Sequence, residues 1–249
     1  MLLNHLPENL TSDTMLFADD AIVYRQIHSV EDQMILQNDL VKLAEWEQLW
    51  GMEFHPQKCS YLKISRGRKP KTYKYILKGV ILAEETLTKY LGVDIQSTLT
   101  WNNNIDRVTK KSNMLGFLRH NLRSAWTETK TNAYITMLRS NLENCASAWN
   151  PHQKKYEQKI EMVQLRAARF TLNKYHNTSS VTSMLDELSW ENLKSRRIKL
   201  QLTNLYKIQR NPIDVEASKY LTKRSTTVRS KHSSHLNLYQ PFSDQFKFS

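Results

Sequence analysis

At 249 residues the chain is long enough for one large or two modest domains, each with its own core, and it is neither a tail nor a peptide. Its 36 lysines and arginines stand against 24 aspartates and glutamates, and the net charge of +12 points to a polyanionic partner, most simply nucleic acid. No apolar run approaches the roughly 20 residues of a spanning helix, and the opening MLLNHLPENL has neither the basic start nor the apolar length of a signal peptide, so the chain reads as soluble and intracellular, with no membrane partner.

The first predicted element is a hairpin. In TMLFADDAIVYR, residues 14 to 25, apolar Met15, Leu16 and Phe17 precede two adjacent acids, Asp19 and Asp20, and apolar Ala21, Ile22 and Val23 follow. The flanks read as two short strands, which puts the acids at the turn. Adjacent carboxylates repel, so a cation is expected near them. Hard oxygens on a rigid turn suit Mg²⁺, which takes one or two protein carboxylates and keeps several waters. An ordinary acidic turn gives the same pattern, because Asp is common in hairpin loops.

Next comes a helix over about residues 30 to 50. Ser29 and Asp32 stand in capping-box positions, Val30, Met34, Leu36, Leu40, Leu43 and Ala44 keep helical spacing, and Gly51 stands where a C-terminal cap belongs. MEF and KCSYLKIS then alternate like half-buried strands, YKYILKGVILA has Lys78 and Gly79 at a hairpin turn, and KYLGVDI closes a mixed first part. Beyond Trp101 the period becomes helical. Ile105, Val108, Leu115 and Leu118 mark one helix, and Tyr134, Met137, Leu138, Leu142 and Cys145 a second. Pro151 breaks the chain, and two more helices are expected over about 156 to 172 and 182 to 210. From Asn211 the sequence is polar and without period, which predicts a poorly ordered tail.

Cys59 and Cys145 are far apart with no metal-ligand spacing around either, so both are expected to be core residues, and none of the 8 histidines is assigned to a metal. With 5 Gly and 6 Pro the chain has little room for flexible linkers before its C-terminal end.

The order of these features resembles the reverse transcriptases of non-LTR (LINE) retrotransposons, in particular the jockey-like group. FADD, Phe17 to Asp20, is similar to polymerase motif C; WGMEFHPQKC, Trp50 to Cys59, to motif D; and KYLGV, Lys89 to Val93, to motif E, the primer grip. The opening LLNHLPENL is similar to the segment after motif B, and LTWNNNIDRVTKKSNMLGFLRHNL, AWNP, MVQLRAARF and MLDELSWENLKSRR to the helical thumb and its continuation. The resemblance covers about residues 1 to 215 and implies an α+β chain: a partial polymerase palm over 1–97 (an antiparallel sheet with a helix), an all-helical thumb over 98–210, and a tail over 211–249.

The same resemblance implies RNA-directed DNA synthesis by two-metal nucleotidyl transfer, with Asp19 the principal Mg²⁺ ligand, Asp20 a weaker one, and Lys58 near the leaving pyrophosphate. Lys58 would equally serve as a solvated strand-edge lysine. Tyr90, Leu91 and Gly92 fall in the primer grip. The partners implied are an RNA template, a DNA primer or their hybrid duplex, and the family usually has fingers, the first part of a palm and an endonuclease domain upstream. Motifs A and B do not occur in these 249 residues, and Glu8, Asp13 and Asp94 are rejected as substitutes for the third carboxylate, so the fragment is expected to be inactive alone.

The other class of function is a non-catalytic nucleic-acid-binding module. Phe54 to Ala83 contains eight lysines and arginines and no acid, with Tyr61, Tyr73 and Tyr75 interleaved. Basic residues among aromatics suit phosphate contact and base stacking, and Lys63, Arg66, Arg68 and Lys69 are the leading candidates for contact. A charge run of this kind also serves as a plain solvated face.

Overall fold

The computed structural model describes residues 10–18, 20–51, 53–65, 72–176, 180–210, 221–223 and 236–238. The chain divides into two compact units, residues 1–89 with 95–100 and residues 90–94 with 101–249. The described elements are mixed helix and strand, and no helix among them is long and apolar enough to cross a membrane.

Unit 1 begins with the expected hairpin. Strand β1, Asp13–Phe17, pairs antiparallel with β2, Asp20–Tyr24, in a register that sets Phe17 opposite Asp20 and Leu16 opposite Ala21. A tight loop that includes Ala18 joins them. Such tight loops need left-handed backbone, and Ala18 supplies it at φ 53°. Residues directly opposite one another share a face of the ladder. Leu16 and Val23 pack on Leu43 and Trp46 of the following helix, while Met15 and Phe17 on the other face stay exposed.

That helix, α1, spans Val30–Trp50, as its spacing predicts. The Asp32 carboxylate accepts from the Ser29 amide at 3.0 Å, the Ser29 hydroxyl faces the Asp32 amide at 3.4 Å, and Gly51 closes the C-terminus at φ 64°. Leu36, Leu40, Leu43 and Ala44 face the two clusters of the unit, one built on Leu43 and Trp46 and one on Tyr75, Leu77 and Leu82. Of these, the buried leucines Leu43, Leu77 and Leu82 each stabilise by about 1.5–3 kcal/mol. Val30 and Met34, expected on the same face, are exposed instead. Polar residues of the helix have dedicated partners instead, half-buried Gln37 and buried Glu47 among them. The Gln37 amide donates to the Ile76 carbonyl and accepts from the Ile76 amide, both at 2.8 Å, and so acts as a short strand edge. Glu47 accepts from Lys78 at 2.7 Å.

The amides of His28 and then Ser29 hold the Asp32 carboxyl down at about 2. A depressed carboxyl contributes stability that is complete above its ordinary pKa near 4 and is lost as pH falls through its folded value. The helical circular-dichroism signal of α1 is therefore expected to weaken between about pH 4 and about 2. Asp32→Asn should remove that acid step; an unchanged titration in the variant would refute the assignment.

The remaining strands before residue 97 are short. Strand β3, Ser60–Leu62, runs parallel to β6, Ala83–Glu85; β4, Ile76–Leu77, and β5, Val80–Ile81, form the expected hairpin about Lys78 and Gly79. Strands β7, Leu87–Tyr90, and β8, Val93–Gln96, form another. The single antiparallel palm sheet that the resemblance implies is not what forms among the described residues. Each ladder has two strands, and the β3–β6 ladder is parallel. Glu53 and Phe54 of the expected MEF strand are irregular, with Phe54 packed against both clusters.

Unit 2 is helical where the period predicts, with three breaks that it does not. The first expected helix is two, α2, Asn102–Lys110, and α3, Met114–Asn121. The Thr109 hydroxyl donates back to the Ile105 carbonyl at 2.7 Å, a competition that bends helices. The second is α4, Thr127–Ala133, a π turn over Tyr134–Arg139, and α5, Ser140–Glu143. Cys145, expected in the core, is exposed at φ 52°, and the buried positions pass to Ala146 and Trp149. Cys59 is half-buried against the Tyr75 cluster, and burial pushes its thiol pKa up.

Helix α6, Lys154–Leu172, forms as expected. The last predicted helix is again two, α7, Val181–Glu187, and α8, Leu193–Arg210. Trp190 in the break stacks on Tyr134 with ring centres 4.4 Å apart. The Tyr134 hydroxyl donates to Gln164 at 2.8 Å and the Gln164 amide to the Glu191 carbonyl at 2.9 Å, so one buried chain joins three elements. Glu161 accepts from the amides of Leu193 and Lys194, at 3.2 and 2.6 Å, and caps α8. Of the tail from residue 211, strands β9, Leu221–Lys223, and β10, Leu236–Leu238, pair antiparallel. The rest of the expected tail lies outside the described residues.

Candidate functional site

The FADD hairpin is held at its open end by α1. Asp39, fully buried on the inner face of that helix, accepts hydrogen bonds from the amides of Thr11 at 3.1 Å and Ser12 at 2.8 Å, just before β1 begins. Burial pushes the Asp39 pKa up, but the Ser12 side chain, then the two amides and the charge of Lys42, outweigh it, and the carboxyl titrates below its ordinary value. The helix thus fixes where the hairpin starts, and the register fixes where it turns.

At the turn, Asp20 opens β2 and is exposed, while Asp19 lies outside the described residues. Asp13, also on this hairpin, is at the far end of β1. Four residue-to-residue steps of strand separate it from Phe17, about 13 Å. Among the described residues no group of three or more His, Cys, Asp or Glu is placed to hold a metal ion. Lys58 is exposed on a single 3₁₀ turn, Pro56–Lys58, and has no ion-pair partner among the described residues.

The KYLGV turn is built by unit 2. Leu91 and Gly92 take left-handed backbone at φ 45° and 82° between β7 and β8. A Cβ on Gly92 would stand 3.2 Å from the Asn144 amide nitrogen, so this position has both a conformational and a steric need for glycine. Arg107 of α2 grips the turn. Its guanidinium donates to the Gly92 carbonyl at 2.5 Å, to Asp94 at 2.6 Å and to the Asn104 carbonyl oxygen at 2.6 Å, and Asn104 accepts from the Asp94 amide at 3.2 Å. Asp94 is buried as the partner of this arginine. Tyr90 is half-buried and Leu91 exposed.

The basic stretch differs from expectation. Lys63 pairs with Glu84 at 3.1 Å and Lys78 with Glu47 at 2.7 Å, so both are partly neutralised. The tyrosines do not offer free faces. Tyr61 meets Tyr75 edge to face at 5.2 Å, Tyr73 lies 5.1 Å from Tyr75, and the Tyr61 hydroxyl donates to Glu84 at 2.9 Å. Burial, then Glu84, pushes Tyr61 up to about 12. Arg66, Arg68 and Lys69 lie outside the described residues. The excess charge is elsewhere: residues 98–210 carry 19 lysines and arginines against 8 acids, whereas residues 1–97 carry 11 against 13.

Arg107 and Asp39 are the positioning residues that pattern reading missed. A signal existed for each: an acid among the apolar positions of an amphipathic helix, and an acid in the apolar setting GVDI, both of which require a partner.

Over 100 residues, 38% of this chain, the sequence is 33% identical to a protein of Drosophila melanogaster described as "Probable RNA-directed DNA polymerase from transposon BS". The chain is thereby related to a transposon polymerase of the reverse-transcriptase kind, and the matched stretch spans 11% of that relative's length. No family model matches the chain, and no solved structure does.

Proposed function

We propose that this chain is a portion of a reverse transcriptase of the jockey-like non-LTR group, with unit 1 as the later part of a palm and the helices of unit 2 as its thumb. The observation that carries the proposal is the hairpin at Phe17–Asp20, which puts Asp20, the residue after Asp19 in sequence, exposed at the start of β2, on a hairpin seated on a capped helix. Similarity to the transposon polymerase supports the same reading.

Asp19 and Asp20 would hold Mg²⁺ through hard carboxylate oxygens, which fit that ion. The ion would neutralise charge that develops on the nucleotide phosphates. Lys58, exposed and unpaired among the described residues, suits a phosphate contact. The Tyr90–Gly92 turn, gripped by Arg107, would support the primer end of a hybrid duplex through backbone contacts.

Neither Asp13 nor Asp94 completes the metal cage, the first by distance and the second because Arg107 engages it. These 249 residues alone are therefore expected to give no primer extension on an RNA template with Mg²⁺ or Mn²⁺. Extension that vanishes in Asp19→Ala would show that the cage is completed from elsewhere, possible through a second chain. Binding tests the reading positively: a gel shift with an RNA–DNA hybrid should weaken by about 10³-fold or more between about 50 and 200 mM salt if six or more phosphates are engaged. Salt-independent binding, or none, would count against it. The second reading, a binding module without catalysis, is favoured by the basic excess of residues 98–210. It predicts the same gel shift with no recovery of extension whatever palm segment is supplied.

A further inference from the structure

Three aromatic side chains of unit 2 stand in solvent although their size favours burial. Helix α3 turns Leu115 and Leu118 inward and leaves Phe117 60% exposed, Trp126 at the start of α4 is 85% exposed, and Tyr175 beyond α6 is 53% exposed. Indole and phenyl rings normally bury 150–250 Å², so an uncovered tryptophan is informative where an exposed leucine is not.

Two ties bring their elements together. The Arg119 guanidinium lies 5.5 Å from the centre of the Tyr175 ring, which joins α3 to the segment after α6. Lys130 donates its own amide to the Trp126 carbonyl at 3.1 Å, and its ammonium reaches Asn173, two residues before Tyr175, also at 3.1 Å. The start of α4 is thus fastened beside the same end of α6.

The charge around these rings is one-sided. No acid occurs from Arg107 to Thr127 or from Met162 to Leu185, while Arg119, Arg123 and Arg166 are exposed in those segments. The acids that border them are Asp106 and Glu128, and Glu161 and Asp186 with Glu187; Asp106 is paired with Lys159 and Glu187 with Lys174, both at 2.5 Å, and Glu161 caps α8.

We propose that Phe117, Arg119, Arg123, Trp126 and Tyr175 form a stacking surface for single-stranded nucleic acid. This rests on nucleic acid being the partner of the chain and adds a surface distinct from the Tyr90–Gly92 turn. Unpaired bases offer π-faces to the rings, and the arginines meet the phosphates. Duplex bases have those faces covered by their neighbours, so the rings gain nothing from a duplex. The chemistry makes no use of the sugar, and RNA and DNA strands of equal length should bind alike.

The test uses the full chain with fluorescein-labelled oligouridylate and oligothymidylate of about 15 nucleotides, near the site size of a single binding domain. Anisotropy gives affinity and tryptophan emission reports stacking. Both strands should bind and quench emission. Trp126→Ala and Tyr175→Ala should each weaken binding about tenfold, with hybrid-duplex affinity and circular dichroism unchanged because the rings are exposed. Parent-like binding by both variants overturns the surface, as does an equal loss on duplex or a strong preference for one sugar. A parent that binds duplex but neither oligonucleotide overturns this surface and leaves the polymerase reading standing. A parent that binds oligonucleotides through Trp126 but no duplex does the reverse.

Discussion

Arg107→Ala is expected to destabilise unit 2 by about 3 kcal/mol, because removing one member of a buried pair leaves the other without compensation. The value is set at the low end for such pairs because 28% of the arginine side chain meets solvent, against 10% for Asp94. The Gly92 backbone carbonyl and the Asn104 side-chain oxygen Oδ1 lose the same donor. Arg107→Lys should recover only part of the loss, since an ammonium cannot span the carbonyl and the carboxylate as a planar fork does. Urea denaturation gives the total, and hydrogen exchange at residues 90–94 reads the turn itself, where opening should become easier before the rest of unit 2 is affected. A shift below about 1 kcal/mol, the range of a surface ion pair, would mean that the grip is not structural. On the polymerase reading the same variant should bind hybrid duplex more weakly, because the turn that meets the primer is no longer fixed.

Asp39→Ala is expected to cost unit 1 about 2–3 kcal/mol, since it leaves the Thr11 and Ser12 amides without their acceptor and Ser12 is buried. Asp39→Asn keeps one carbonyl oxygen and should cost less. The carboxyl titrates below its ordinary value, so its contribution is complete at neutral pH and is lost as pH falls through the depressed folded pKa. The gap between parent and Asp39→Ala should therefore narrow in acid. A gap that stays constant down to about pH 2, below the ordinary carboxylate range, would place the effect in packing and not in the charge.

Much of the local structure was legible. The capping box at Ser29 and Asp32, Gly51 after α1, the turn at Lys78 and Gly79, and the FADD hairpin all rest on short-range rules, in which a side chain meets its own neighbouring backbone. The place of Asp20 beside the turn was legible for the same reason, although the backbone there is carried by Ala18 in a left-handed conformation that glycine usually supplies. The helix breaks were not. Leu188 to Asn192 interrupts a good helical pattern because Trp190 finds Tyr134 and because Glu161, from another helix, caps the restart. No pattern within the segment contains that information.

The basic stretch from Phe54 to Ala83 shows the limit most plainly. Its composition suggested a surface of charges and rings, yet Tyr61, Tyr73 and Tyr75 close on one another, and Lys63 and Lys78 meet Glu84 and Glu47. The two glutamates are distant from their lysines in sequence, so the stretch looked free of acid until folding brought them in. The opposite happened in unit 2, where Phe117, Trp126 and Tyr175 fit a helical core by composition and are left outside.

By itself the sequence determined the sign of the net charge, the order of the motifs and most of the helices and turns, the last because they follow from residues within a turn or two of one another. Only the tertiary structure decided which charges are neutralised, which aromatic rings stay uncovered, and which residues hold the two candidate turns in place. Those depend on partners such as Asp39 for Ser12, Arg107 for Gly92 and Asn173 for Lys130, at separations of 27, 15 and 43 residues, and a contact across such a separation leaves no period in the chain.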